Sequence, residues 1–193
     1  VKDLLSDVEV QQYQNYTFCT GKLGTQRIVL MKSGIGKVNA ALATRALIDY
    51  AHPNYILNTG VAGGIDRSLA VADIVVGSSS CYHDFYLGEV VNESVGFPEQ
   101  FQADAVLLQA VRKVSKESTF VKYGLICTGD QFITNNEALQ QIKQKLPDGL
   151  AVDMESAAIA HACYLAQVPF LSIRIISDTP WVDHHSDQYE HFW

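Results

Sequence analysis

Two short apolar runs in the second half of the chain end abruptly in carboxylates. The first leads into Asp153 and Glu155, and the second, Ile175-Ile176-Ser177-Asp178, ends on an acid that follows a hydroxyl residue. In an open α/β sheet, ligands bind outside the carboxyl ends of the strands. A buried strand that ends in Asp or Glu therefore directs an ionisable group towards the site of chemistry. Two such strands predict two acids that converge on one pocket, which favours an enzyme.

Each of these acids also has a purely structural interpretation. Asp153 can cap the helix that follows it, and Glu155 can complement the positive N-terminus of the same helix. Asp178 can form an Asx turn before Thr179-Pro180. Arg174 lies on the same predicted strand as Asp178 and supplies a cation for a shared pocket, which favours a functional role for the group. Burial raises the pKa of a carboxyl group, and a raised pKa suits a proton donor.

Two glycine-rich segments follow predicted strands and are expected to form turns. The first, Ser33-Gly34-Ile35-Gly36-Lys37, does not match a P-loop, because Val38 replaces the hydroxyl residue that would hold magnesium. It also fails the dinucleotide fingerprint, because Asn39 stands where the third glycine belongs. Two interpretations stay open: a plain connection, or a helix start whose free N–H groups face a ligand. The second segment, Thr59-Gly60-Val61-Ala62-Gly63-Gly64, favours a binding floor, because glycine lets the backbone approach a ligand closely.

Two further segments carry residue types that occur in binding sites. Gly129-Asp130-Gln131-Phe132-Ile133 follows a predicted strand, and its aromatic ring can either stack on a planar ligand or pack in the core. Asp183-His184-His185-Ser186-Asp187 contains metal-ligand types, but the spacing is too tight for two helical ligands and no third cluster supports a metal. We therefore expect a solvated loop there. His161, on an apolar helix, is expected to be an interior histidine with its hydrogen bonds satisfied.

The elements that must position these groups alternate between strand and helix. A β-hairpin is predicted over residues 15–20 and 27–32. Helices are predicted over 37–50, 103–116, 136–146 and 156–167, and strands over 55–58, 73–76, 123–127, 150–153 and 170–176. This alternation indicates crossover connections and a sheet covered on both faces. We therefore predict an α/β fold with three layers, αβα, around a twisted, mostly parallel sheet that the early hairpin makes mixed.

Composition and charge narrow the classes of function. The 193 residues are 48% hydrophobic and 18% charged, as expected for one folded domain. The net charge of −7 and the scattered lysines and arginines argue against nucleic-acid binding. No apolar run reaches the length of a membrane span, and we expect no signal peptide. The four cysteines form no CxxC pair, so we expect buried thiols in a protein of the reducing cytoplasm.

Six motifs occur in the order and context of one known family. They are Ser33-Gly34-Ile35-Gly36-Lys37, Asn58-Thr59-Gly60-Val61-Ala62-Gly63-Gly64, Tyr82-His83-Asp84, Gly129-Asp130-Gln131-Phe132-Ile133, Val152-Asp153-Met154-Glu155 and Arg174-Ile175-Ile176-Ser177-Asp178. With these motifs the chain resembles, over nearly its whole length, the bacterial 5′-methylthioadenosine/S-adenosylhomocysteine nucleosidases of the purine nucleoside phosphorylase superfamily. The resemblance implies a nucleoside substrate, a homodimer, and hydrolysis without a metal or an organic cofactor.

The resemblance implies a set of residues that bind the purine. Asp178 would be the general acid that protonates adenine N7, and Ser177 would help to hold it. Phe132 would stack on the purine, and the backbone of Ile133 would read its N1 and N6 edge. Ile35, in the first glycine-rich segment, would also contact the substrate.

A second set implied by the resemblance lies around the sugar. Met154 would pack under the ribose, and Glu155 would bind its hydroxyl groups. Ala62 and Gly63 would line the floor of the site. Arg174 would help to place the attacking water. These roles agree with the chemistry, because cleavage of an N-glycosidic bond builds positive charge on the ribose and negative charge on the base.

The chain departs from the family pattern in three places. The glutamate that activates the water in the family is expected just before Val1, and none of Asp3, Asp7 and Glu9 matches its motif. The segment after Tyr82-His83-Asp84 is several residues shorter than the family's loop. The chain also ends at Trp193, before the expected C-terminal helix. We therefore expect residues 1–193 to be one nucleosidase domain that is a portion of a longer protein.

Two alternative functions remain open at this level. A phosphate-dependent nucleoside phosphorylase would need several cationic or N–H donors, to which Arg174 and the turn at Gly34 can contribute. A non-catalytic nucleoside-binding relative would keep the pocket and lack the base. Hydrolysis of futalosine or 5′-deoxyadenosine is possible as an additional activity.

Overall fold

The computed structural model describes residues 1–85, 96–179, 181 and 185–192. A 3-10 turn at Lys2–Leu4 precedes the strands and helices. The strands are β1 (Ser6–Tyr13), β2 (Tyr16–Leu23), β3 (Gln26–Leu30), β4 (Ile56–Gly64), β5 (Ile74–Tyr82), β6 (Phe101–Gln102), β7 (Val121–Thr128), β8 (Gly149–Asp153) and β9 (Phe170–Asp178). The helices are α1 (Lys37–Ala51), α2 (Ala105–Val114), α3 (Asn136–Lys145), α4 (Ser156–Ala166) and α5 (His185–Phe192).

Local sequence signals explain where several helices begin. Asp104 accepts hydrogen bonds from the N–H groups of Val106 and Leu107 and so caps α2. Asn135 caps α3 in the same way through the N–H of Ala138. Helix α4 is rich in alanine, and its first half is buried, so it packs closely between the sheet and α1. Helix α3 is the crossover that allows β8 to run parallel to β7.

The central sheet is mixed and closes on itself. Its six strands run in the order β6-β5-β7-β8-β4-β9, and β5 also pairs with β9. The long ladders β4–β9 and β5–β7 are parallel, as is β7–β8, whereas β4–β8, β5–β6 and β5–β9 are antiparallel. The predicted α/β class with helices around a mostly parallel mixed sheet is confirmed. The predicted cause of the mixing is wrong, because the early hairpin lies in a separate antiparallel sheet, β1-β2-β3.

Three apolar clusters form the core. One cluster lies inside the closed sheet. Strands β4, β5, β7, β8 and β9 each contribute one side chain to it, respectively Ala62, Val75, Ile126, Ala151 and Ile176. Leu69 packs against these five side chains. One outer cluster joins α4 to the start of β4 and β9, and the other places Leu139 and Ile142 of α3 against β7 and β8. Neighbouring residues on β7 alternate between these clusters, as the pleat of a strand requires.

Two predicted turns or loops are regular structure instead. Residues 59–64, expected to be a glycine-rich turn, are the second half of β4. The glycines are needed for a different reason, because a Cβ at Gly60 would overlap the guanidinium of Arg174 on the neighbouring strand. The solvated loop expected at 183–187 is wrong from His185 onward, where α5 begins. Asp183 and His184 lie outside the described residues, as do Tyr86, Leu87 and Gly88 of the shortened segment.

Candidate active site

A cavity of about 520 Å³ lies at the carboxyl ends of β4, β8 and β9. All ten residues predicted for the site line it, so the structure brings them together: Ile35, Ala62, Gly63, Phe132, Ile133, Met154, Glu155, Arg174, Ser177 and Asp178. Their individual roles are still predictions. The cavity has room for a nucleoside-sized molecule.

Gly63 is the residue on which the two acid-tipped strands converge. It is paired with Val152 of β8 on one side and with Asp178 of β9 on the other. A Cβ on Gly63 would lie 3.3 Å from a methyl group of Val152 and 3.5 Å from Asp178 Oδ2. The missing side chain therefore keeps space open between β8 and β9, at the floor of the cavity.

Asp178 occupies the deep end of the cavity. Its residue is only 2% exposed, and the Ser177 hydroxyl donates a hydrogen bond of 2.7 Å to its Oδ1. The predicted contact between Ser177 and Asp178 is therefore present. Because the donor is the adjacent residue at the end of β9, it fixes the orientation of the carboxyl group.

Glu155 stands in a different, ionic environment. The Arg174 guanidinium lies 3.4 Å from Glu155 Oε2 and 2.7 Å from Asp153 Oδ2, and both Arg174 and Asp153 are buried. The N–H of Gly36 donates to Glu155 Oε1 at 3.1 Å. Burial raises the pKa of Glu155 above its ordinary value, while the Gly36 N–H and Arg174 act in the opposite direction.

Asp153 is an internal support for this end of the cavity. Its carboxylate accepts hydrogen bonds from the hydroxyl of Thr128 and from the N–H and hydroxyl of Ser156, at the start of α4. Asp153 therefore accepts a hydrogen bond from the first N–H of α4, as the capping interpretation requires, although the N-cap residue itself is Glu155. Asp153 also neutralises Arg174, whose Nε donates to Ser156 Oγ at 3.2 Å. Arg174 is therefore fixed by its contacts on β8 and α4.

Aromatic side chains form one wall of the cavity. Phe132, for which stacking and core packing were both open, is half-exposed and lines the cavity, whereas Ile133 is buried among the residues that pack on α3. Tyr189 of α5 also lines the cavity, with its ring centroid 5.0 Å from that of Phe132 at an angle of 66°. Gln188 attaches α5 to the end of β9 by accepting a hydrogen bond of 3.0 Å from the Thr179 N–H.

The first glycine-rich segment forms the opposite rim. Gly34 and Gly36 have φ angles of +78° and +89°, which other residues adopt only with strain. The expectation that the N–H groups at the start of α1 are free for a ligand is wrong for two of them. Gly36 donates to Glu155, and Lys37 donates to Asp130 at 2.7 Å. Ile35 lines the cavity from the rim and is 72% exposed.

Several cavity residues were not among those predicted from the sequence. They are Ser33, Gly34, Asn58, Thr59, Val61, Gln131, Val152, Asp153 and Tyr189. Most of them flank a predicted site residue on the same strand or loop, so the sequence motif that contains the predicted residue also indicates its neighbours. Tyr189 is different, because it reaches the cavity through α5, for which no helix was predicted; the loop predicted at 183–187 overlaps only the start of that helix. The run of residues 185–192, without glycine or proline, was the available helix signal.

Comparison with known proteins places this geometry in a family. The model of the phosphorylase superfamily matches residues 1–192. A 5′-methylthioadenosine/S-adenosylhomocysteine nucleosidase of Staphylococcus saprophyticus is 38% identical over 186 residues, which cover 92% of this chain and 80% of that protein. A nucleosidase of the same name from Haemophilus influenzae is also 38% identical, with the same two coverages. The chain belongs to the 5′-methylthioadenosine/S-adenosylhomocysteine nucleosidase family.

Solved structures of nucleosidases from this family share the fold. The Neisseria meningitidis nucleosidase in complex with methylthio-immucillin-A superposes with a TM-score of 0.92 at 32% identity, over 99% of this chain and 84% of that one. The Colwellia psychrerythraea nucleosidase in complex with adenine gives a TM-score of 0.89 at 40% identity, over 99% and 81%. In the described part of the present chain, no helix is both long and apolar enough to cross a bilayer.

Proposed function

We propose that this nucleosidase hydrolyses the N-glycosidic bond of 5′-methylthioadenosine and S-adenosylhomocysteine, releasing adenine and the 5-thioribose product. The observation that carries the proposal is the placement of two carboxyl groups, Asp178 and Glu155, in different environments at one nucleoside-sized cavity. Membership of the nucleosidase family supports the same substrates. Relatives solved with adenine or with methylthio-immucillin-A add further support.

Asp178 is proposed to assist departure of the base. As the bond between C1′ and N9 lengthens, its electron pair moves into the purine ring, and a proton from the Asp178 carboxyl group is taken up at N7. The carboxylate left behind keeps the hydrogen bond from the Ser177 hydroxyl. Phe132 and Tyr189, whose rings contact each other and line the cavity, are proposed to cover the planar base.

Glu155 is proposed to hold the ribose while positive charge develops on it. An ionised carboxylate accepts the hydroxyl protons of the sugar and stabilises the nearby cationic ring electrostatically. Arg174 and the Gly36 N–H fix the carboxylate in that position. Water then adds to C1′, and the proton that it loses replaces, by way of solvent, the proton that Asp178 gave to the purine, which completes the hydrolysis. Asp3, Asp7 and Glu9 are exposed and do not line the cavity, so no part in water activation is assigned to them.

Phosphorolysis is the main competing reaction, and the charges of the cavity oppose it. Among the described residues that line it, Asp153, Glu155 and Asp178 are acids and Arg174 is the one base. Arg174 is already paired with two of those acids. The N–H groups of Gly36 and Lys37 are also bound to carboxylates. A phosphate dianion would therefore meet repulsion rather than free donors.

The deciding experiment measures adenine release from 5′-methylthioadenosine by the full-length protein, in phosphate-free buffer and with added inorganic phosphate. We expect the same rate in both, with methylthioribose as the second product. Release that requires phosphate, with methylthioribose 1-phosphate as product, would establish the phosphorylase alternative. Binding of the nucleoside with no release in either buffer would establish the non-catalytic alternative.

The protein is further proposed to be a cytoplasmic homodimer. The family resemblance supports a dimer, and Val38 and Leu42 stand exposed one turn apart on α1, where a partner can cover them. Three of the four cysteines are buried and none forms a disulfide, which is compatible with a reducing compartment. Light scattering during gel filtration should give twice the monomer mass, and a monomer at micromolar concentration would refute the dimer.

A further inference from the structure

We propose that Asp130, which does not line the cavity, is a positioning residue for Glu155. By binding the N-terminus of α1 from outside, Asp130 aims the Gly36 N–H at the Glu155 carboxylate inside the cavity. The inference rests on the proposed function in one respect: Glu155 is taken to be the group that binds the ribose.

Two successive N–H groups at the start of α1 point to two different carboxylates. The N–H of Gly36 donates to Glu155 Oε1 at 3.1 Å, and the N–H of Lys37 donates to Asp130 Oδ1 at 2.7 Å. A Cβ on Gly36 would lie 3.0 Å from the same Asp130 oxygen, so the carboxylate rests directly against the glycine backbone. The bond at Lys37 therefore fixes the Gly36–Lys37 peptide, which directly follows the Gly36 donor in the chain.

Asp84 holds Asp130 in place. Its Oδ2 accepts the N–H of Asp130 at 2.9 Å, and both of its oxygens accept from the Lys37 ammonium, at 2.8 and 2.7 Å. The Asp84 side chain is 18% exposed. Burial opposes its ionisation, but the hydrogen bonds from Lys37 and Asp130 outweigh burial and lower the pKa of Asp84. Lys37 thus contributes its amide to one acid and its ammonium to the other.

This network, Asp84–Lys37–Asp130, connects the two sides of the cavity. Asp130 opens the segment that carries Phe132, on the proposed purine side. Lys37 opens the helix whose preceding residue binds Glu155, on the proposed sugar side. The distance between the purine wall and the sugar-binding carboxylate is therefore set in part by residues outside the cavity.

Loss of the Asp130 carboxylate has a defined consequence for Glu155. Glu155 is faced by Arg174 from β9, by Asp153 from β8 and by the Gly36 N–H from the start of α1. Arg174 and the N–H favour the ionised form, whereas Asp153 disfavours it. When the N–H is no longer aimed, the carboxylate loses a donor and its pKa rises. Ribose binding then weakens and requires a higher pH.

The test compares Asp130→Ala with Asp130→Asn in the full-length protein. The Asp130 side chain is 45% exposed, so neither change should prevent folding. The alanine variant removes the acceptor of the Lys37 N–H, and we expect KM for 5′-methylthioadenosine to rise about five- to tenfold with kcat within about twofold. The acid limb of kcat/KM should move to higher pH. Asn keeps a carbonyl acceptor at the same place and should restore values near those of the unaltered protein.

Asp66→Ala is the matched control. The Asp66 side chain is also partly exposed and forms an ion pair with a lysine, Lys143, at 3.2 Å. Unlike Asp130, Asp66 does not contact α1, and it does not line the cavity. This variant should leave KM and the pH profile unchanged. An equal effect of Asp66→Ala and Asp130→Ala would refute the proposal, because it would reflect a general loss of surface ion pairs.

Glu155→Gln separates failure of this inference from failure of the proposed function. If Glu155 binds the ribose, Glu155→Gln by itself raises KM, and adding Asp130→Ala to it has little further effect because both act through one group. Full additivity of the two changes refutes positioning through Glu155 while leaving the proposed function intact. A normal KM in Glu155→Gln refutes the sugar-binding role itself.

Discussion

The carboxyl groups at the two ends of the cavity have different environments. At the deep end, Asp178 is almost fully buried and receives a hydrogen bond from a neutral hydroxyl, that of Ser177. At the other end, proposed to hold the sugar, Glu155 belongs to an ionic group with Arg174 and Asp153 and accepts a hydrogen bond from a backbone N–H. One cavity therefore contains two acids, of which one is hydrogen-bonded to a neutral hydroxyl and the other is paired with a buried cation.

This difference explains how one pocket can supply both a proton and a negative charge. Cleavage of a glycosidic bond needs an acid for the leaving base and an anion for the cationic sugar, and the two cannot be the same group. A carboxyl group beside a guanidinium is stabilised in its ionised form, whereas a carboxyl group that is to donate a proton must retain one until the bond breaks.

Asp178→Asn should give the largest effect. Asparagine has the shape of the acid but no proton to donate to the purine, so we expect kcat to fall about 10³-fold, within the usual range for a lost general acid. Calorimetry should still detect binding of 5′-methylthioadenosine, and circular dichroism should show an unchanged fold. Near-normal turnover by this variant would remove Asp178 from the proposed mechanism.

Glu155→Gln should weaken binding of the nucleoside but spare binding of the free base. A hydrogen bond to a charged group is worth about 1.5–3 kcal/mol, so the affinity for 5′-methylthioadenosine should fall about 10- to 100-fold. Adenine has no ribose, and its dissociation constant should change by less than about threefold. Equal losses for both ligands would contradict the assignment of Glu155 to the sugar end.

The pH dependence of kcat/KM should reveal the raised pKa of Glu155. The ionised form is the one that accepts the sugar hydroxyl protons, and burial lifts its pKa above the ordinary value of 4.5. Activity is therefore retained above that pKa and lost as the pH falls through it, about tenfold for each further pH unit. The kcat/KM profile of Glu155→Gln should show no such loss at low pH. If the loss is unchanged in this variant, it arises from the titration of another group.

Tyr189→Ala should give the smallest effect. Its edge-on contact with Phe132 is of a kind worth about 0.5–1.5 kcal/mol, so KM should rise about two- to tenfold with little change in kcat. Tyr189→Phe keeps the ring and should behave like the unaltered protein. A loss of activity in the phenylalanine variant would mean that the hydroxyl, and not the ring, contributes to the site.

The site was more predictable from sequence than the way it is held together. Asp178 and Glu155 are predictable because Asp178 is the last residue of β9 and Glu155 lies two residues after the end of β8, and ligands bind outside the carboxyl ends of such strands. The closure of the sheet by β5 and β9 could not be read in the same way, because it depends on contacts between residues about a hundred positions apart.

The same limit applies to individual side chains. Asp130 and Asp84 are 46 positions apart, and nothing local to either indicates their contact at Lys37. The sequence predicts that Gly60 lets the backbone approach a ligand, but Gly60 does not line the cavity and instead makes room for Arg174. Tyr189 reaches Phe132 only because α5 packs on β9.

The division of roles is tested most directly by a change of leaving group. A p-nitrophenyl 5-methylthioriboside releases p-nitrophenolate, which departs without being protonated, so an acid at the deep end is no longer needed. We predict that Asp178→Asn loses about 10³-fold in kcat with 5′-methylthioadenosine but less than about tenfold with the nitrophenyl substrate. Glu155→Gln should be impaired with both. Equal losses for Asp178→Asn on the two substrates would contradict its role as the proton donor.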